Sequence, residues 1–147
     1  MKKKMILPIA LVALPVVAMM AAFAPDAVRY IYSDGTLVQM PFLGMPEGVN
    51  TALCMPAAVI AVGICIFFAM AYAFSGKPVW LKGIPGCAFA AALLAVVPYL
   101  IQSENRAFPS VVVPIAMMLE WLVAYVLGKD VETAPAQKEK GRRLGKN

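Results

Sequence analysis

Apolar residues fill this chain in four long blocks: Met5–Ala24, Ala52–Phe74, Ile84–Ile101 and Phe108–Leu127. Crossing roughly 30 Å of hydrocarbon takes about 20 helical residues, and each block reaches or approaches that length. A segment that is apolar on every face has no solvent side, so the pattern predicts four transmembrane helices. Residues 1–128 then form one bundle. The segment 129–147 mixes charge signs around Pro135 and Gly141 and has little apolar periodicity, so it is expected to be a basic, disordered tail.

The polar stretches between blocks predict the connections. In the first, Val28-Arg29-Tyr30-Ile31-Tyr32 and Thr36-Leu37-Val38-Gln39-Met40 flank Ser33-Asp34-Gly35. β-branched and aromatic flanks around an Asp-Gly turn predict a short β-hairpin between helices one and two. Pro41, Gly44, Pro46 and Gly48 break regular structure before the second helix. An isolated two-stranded hairpin is marginal in water, so this one is expected to pack on the bundle or on a partner. Tyr30, Tyr32 and Asp34 are its candidate partner contacts. The second connection, Ser75–Gly83, places Trp80 between Lys77 and Lys82, and Gly83-Ile84-Pro85-Gly86 reads as a helix-start turn. Gln102–Arg106 joins helices three and four. Trp80, Trp121 and Tyr125 are the expected membrane-interface anchors.

Charge gives the threading. Eleven Lys and Arg fall in the N-terminus, the second connection and the tail, against two, Arg29 and Arg106, in the other connections. Four crossings put those eleven on one side, and the positive-inside rule makes that side the cytoplasm for both termini. The expected location is a bacterial-type plasma membrane. Met1–Ala24 resembles a secretory signal ending in Ala22-Phe23-Ala24. Its long apolar run and the following Pro25 favour a retained first helix.

Composition narrows the function. The chain of 147 residues is 62% hydrophobic and 14% charged, with mean hydropathy +0.79. A soluble domain carries nearer a quarter charged residues. The net charge of +5 flanks apolar segments, which favours anionic headgroups over nucleic acid. Cys54, Cys65 and Cys87 form no CxxC pair and read as small buried hydrophobes. There is no histidine. No metal cluster, nucleophile motif or glycine-rich phosphate loop stands in the sequence, so neither an enzyme nor a cofactor is expected.

Within the blocks, small residues recur four apart: Ala18/Ala22, Ala57/Ala61, Ala69/Ala73, Ala88/Ala92 and Ala91/Ala95. Such spacing lets helices approach closely where lipid supplies no hydrophobic drive. Pro15, Pro98 and Pro114 are expected to bend their helices.

Glu120 is the only carboxylate inside a block, and no Lys or Arg lies inside one with it at matching depth. An ionised carboxylate there costs several kcal/mol, so such groups face the bundle interior or water. Three roles compete: an acid that fixes helix packing, a contact to a basic residue of a partner membrane protein, and a proton or cation coupling site. The sequence thus predicts an all-α, four-helix membrane bundle with a short external hairpin. The expected function is that of an accessory protein binding other membrane proteins or itself. The alternative is a small proton-coupled transporter or exporter using Glu120.

Overall fold

The computed structural model describes the backbone of residues 3–44, 53–100 and 106–144, and side chains over 7–44, 53–100 and 107–131. Four helices and three short strands follow one another as α1 (Lys3–Ala22), β1 (Val28–Ile31), β2 (Leu37–Met40), α2 (Cys54–Ser75), α3 (Pro78–Leu100), β3 (Arg106–Pro109) and α4 (Val112–Leu144). Three helical segments, Cys54–Ser75, Pro78–Leu100 and Val112–Val131, are long and apolar enough to cross a membrane. The apolar part of α1, Leu7–Ala22, is shorter.

The helices close a ring in which α2 packs on α3, α3 on α4, α4 on α1 and α1 on α2. Each turns one stripe inward at helical spacing. On α1 the stripe is Leu11, Pro15, Ala18 and Ala22; on α4 it is Val113, Ala116, Met117, Glu120 and Ala124. The α3 stripe includes Ala88, Ala91, Ala92 and Ala95, so the expected small-residue face does bring neighbouring helices close. On α2 the buried positions are Met55, Ala58, Val59, Val62, Cys65 and Ala69. Of the alanines singled out in sequence there, only Ala69 is fully buried, and Ala73 is exposed.

Several boundaries differ from expectation. Helix α3 starts at Pro78, because proline suits a first helical position, where its missing N–H would be unsatisfied anyway. The connection therefore shrinks to Gly76-Lys77, and the Gly83–Gly86 turn lies inside the helix. Gly76 ends α2 in the left-handed region, at φ 63°, and its N–H closes on Tyr72 O at 2.8 Å. Pro114 is the third residue of α4, in the turn whose N–H groups lack helical partners, so it breaks no helical bond. Pro15 and Pro98 do lie within helices, as do Pro8 and Pro85. Helix α4 carries its backbone on to Leu144, past the point where the sequence sets a disordered tail apart.

The hairpin forms about its expected turn, and a third strand joins it. The antiparallel sheet has the order β2-β1-β3, with Val28 opposite both Met40 and Pro109. Pro109 cannot donate to a ladder and stands, as proline does, on an edge strand. The inward face carries Val28, Tyr30, Ala107 and Pro109, all buried. Residues 45–52 and 101–105, with the expected breakers Pro46 and Gly48 and most of the Gln102–Arg106 connection, lie outside the described residues.

Candidate functional site

Glu120 comes first, because its place in α4 fixes what it can touch. It falls on the buried stripe and is 0% exposed. It stands eight residues from Val112, about 12 Å along the axis, and eleven from Val131, about 16 Å. That is near the middle of the apolar window, deeper than the sequence boundaries imply. Both carboxylate oxygens are enclosed, and neither has a hydrogen-bond partner. Buried polar atoms are nearly always paired, so an orphaned carboxylate calls for a specific explanation.

Two thiols lie within electrostatic reach of this carboxylate: Cys65 from α2 and Cys87 from α3. The two thiols neighbour each other, and the Cys65 Sγ lies 4.0 Å from Ile84 O. The sequence reading places these cysteines apart as core hydrophobes. Only the antiparallel pairing of α2 and α3 brings positions 65 and 87 to one level. The site is thus a small polar cluster, contributed by three helices, inside an apolar bundle. Its inward direction takes Glu120 away from any surface where a partner helix would dock, so a lateral charge contact is not what its position supports.

The aromatic residues divide differently from expectation. Trp80 lies in the first turn of α3 and packs against Phe67 and Phe68 of α2, with ring centroids 6.0 Å away in each case. It seals the α2–α3 end next to Lys77 and Lys82. Trp121 is not at an end: it is the tenth residue of the twenty-residue apolar window of α4. Its ring stacks on Tyr125 one turn on, at 5.8 Å and 10°. Lys129, a further turn on, sits over the other partner of that stack, 4.7 Å from the Tyr125 centroid. Tyr125 is half-exposed and, with Lys129, approaches the end of the window.

The hairpin candidates also separate. Tyr30 is fully buried, with its hydroxyl turned to the Met55 Sδ at 3.9 Å, so it is a packing residue and offers no surface to a partner. Burial pushes its phenol up to about 12, and nearby Tyr32 and Cys54 add to the shift. Tyr32 is partly exposed, and its N–H donates to Thr36 O at 3.0 Å. Asp34 is exposed. Its Oδ1 accepts from the Thr36 N–H at 2.8 Å, and that bond holds its carboxyl below the usual carboxylate range. The sequence marks the apolar residues of this loop as many for a solvated segment, suited to the bilayer interface or to a partner; of these Ile31, Leu37 and Leu43 are 38%, 56% and 47% exposed. Among the described residues no group of three or more His, Cys, Asp or Glu is arranged to hold a metal ion. No family model, curated protein or solved structure matches this chain.

Proposed function

We propose that this chain is a small multi-pass protein of a bacterial-type plasma membrane, with four helices crossing, both termini cytoplasmic and the sheet outside. Its role is that of a non-enzymatic accessory subunit, binding other membrane proteins or a second copy of itself. The observation that carries this reading is the rim of the sheet. Strand β2 pairs only with β1, so among the described residues its other edge has no strand partner. Exposed Leu37 stands on β2 opposite exposed Ile31 of β1, and exposed Leu43 follows three residues after the strand. Open strand edges with apolar side chains are places where another chain adds on. Purification in mild detergent, with a photo-crosslinker at Leu37, tests it. One defined crosslinked membrane protein, or a self-dimer, is expected, and Ile31→Lys with Leu37→Lys should abolish it. Absence of any crosslinked species would overturn the reading. A reporter after Asn147 should read as cytoplasmic and one at Gly35 as external; the reverse would overturn the orientation.

A second reading rests on the orphaned oxygens of Glu120. An enclosed carboxylate with no partner is the arrangement expected of a group that takes up a proton or cation from elsewhere. On this reading Glu120→Gln leaves expression and folding intact and abolishes pH-driven flux in reconstituted vesicles. Unchanged flux would remove it.

A further inference from the structure

The α3–α4 seam carries two clefts, both open toward the outside of the bundle. The first, of about 260 Å³, lies at the end near Pro78 and includes Lys82 of α3 with Gly128 and Lys129 of α4. The second, of about 660 Å³, lies toward the sheet and includes Val96 of α3 with Ile115, Met118 and Leu122 of α4. They fall on one stripe of each helix. On α4 the positions 115, 118, 122, 125 and 129 recur at alternating steps of three and four; on α3, 78, 82, 85, 96 and 99 fit the same period. Such steps keep residues on one helix face. The seam therefore carries two clefts in line, the one toward the sheet apolar and the other with two ammonium groups at its end.

Gly128 borders open space at that end: a Cβ built there meets nothing within 4 Å. Tyr125 gives one wall, and its ring lies under the Lys129 ammonium. This charge pattern matches an amphiphile with an anionic head and an apolar tail. The lengths agree as well. One leaflet of hydrocarbon is about 15 Å deep, half of the usual core. Ten helical residues from Lys129 also cover about 15 Å, which reaches Leu119 in the second cleft.

We propose that this seam is a binding site for an anionic phospholipid of the cytoplasmic leaflet. Lys82 and Lys129 take the headgroup phosphate, and an acyl chain lies along Tyr125 and Leu122 toward Leu119. A basic pocket between membrane helices is a suitable seat for such a headgroup. A partner transmembrane helix of ordinary composition would set apolar side chains against Lys82 and Lys129 at the same place. The proposal rests on the orientation given above only for the choice of leaflet.

The test uses the full chain in phosphatidylcholine nanodiscs with a minor fraction of phosphatidylglycerol, and reads co-retained lipid by native mass spectrometry. Selective retention of phosphatidylglycerol is expected. Lys82→Gln with Lys129→Gln should weaken it by about 30-fold, taking each lysine at its usual contribution near an anionic surface. Leu122→Trp, which fills the apolar cleft and leaves both charges, should also reduce retention. Equal retention of the two lipids would overturn the proposal, as would undiminished phosphatidylglycerol in the double variant. Loss in the lysine variant, unchanged retention in Leu122→Trp, and competition by inorganic phosphate would mean a simple phosphate site and would overturn the acyl-chain part. Reporters placing Lys82 outside would overturn the leaflet and the orientation, and leave the lipid result standing on its own.

Discussion

The Tyr30 hydroxyl meets the Met55 sulfur at 3.9 Å, linking the first strand of the sheet to the first turns of α2 across 25 positions of sequence. The phenol ring does most of the work there, because a thioether is a weak acceptor. Tyr30→Phe is therefore expected to cost less than about 1 kcal/mol, and Tyr30→Ala about 3–5 kcal/mol through the cavity it leaves. Thermal unfolding in detergent checks both. The sign of the pH effect follows from the raised phenol. Its contribution is full below the ordinary phenol value of 10.0, and is lost as pH rises from there toward about 12. Absorbance of the phenolate should show one tyrosine, absent in Tyr30→Phe, ionising near that upper limit.

The Asp34-Gly35 turn makes a second prediction. Gly35 sits at φ 84°, a conformation costly to a β-branched residue, and no atom lies within 4 Å of a Cβ built on it. Strain alone thus decides the outcome. Gly35→Val should destabilise the turn by about 1–2 kcal/mol and raise proteolysis of the outer loop in intact cells, whereas Gly35→Asn should be tolerated better. Asp34 adds a pH test. Its carboxyl is held low by the Thr36 N–H, so the contribution is present above the ordinary carboxylate range and lost as pH falls below it. Cleavage should rise on acidification, and Asp34→Ala should remove that dependence.

Glu120 predicts a gain. Replacing a buried, unpaired polar group by an apolar one of similar size removes a desolvation cost, so Glu120→Met should raise stability in detergent by about 1–3 kcal/mol. A loss of stability would mean that the carboxyl makes a structural bond.

Gly83 predicts the opposite sign. A Cβ there would lie 2.8 Å from the Phe68 ring. That ring is held beside Phe67 and Trp80, with little room to move. Gly83→Ala gains helix propensity of about 1 kcal/mol. Overpacking of about 1–3 kcal/mol outweighs it, so a net loss of stability is expected. Pairing it with Phe68→Leu should recover part of the loss.

Apolar block length was the legible signal, because it depends on composition alone. It places α1 and α2 to within two residues at each end but misses the first six residues of α3 and the run of α4 beyond Leu127, and the Asp-Gly turn marks the hairpin. The third strand was not legible: Arg106–Pro109 is four residues long, and only its pairing with β1 distinguishes it from the start of the next helix. Glu120 stood out as a lone carboxylate. Its enclosure, and the two thiols near it, depend on helix rotation, which a segment apolar on all sides does not encode. Tyr30 showed the same limit in reverse: a tyrosine in an external loop looks like a surface residue until the sheet folds down over α2.

The sheet gathers the α1–α2 and α3–α4 connections into one hydrogen-bonded knot. Strand β3 joins β1, Ser110 N donates to Ala27 O at 2.6 Å, Phe42 N donates to Ala22 O at 2.9 Å, and Tyr30 anchors the beginning of α2. At the opposite end the only short link is the two-residue Gly76-Lys77 step between α2 and α3. There the four helices are held by side-chain packing alone, Leu11, Ala69, Leu81, Ile84 and Ala124 meeting in one buried cluster. The two ends of the bundle are thus secured by different means, backbone hydrogen bonds at one and apolar contact at the other, so a change that loosens packing is expected to part the helices first at the end remote from the sheet.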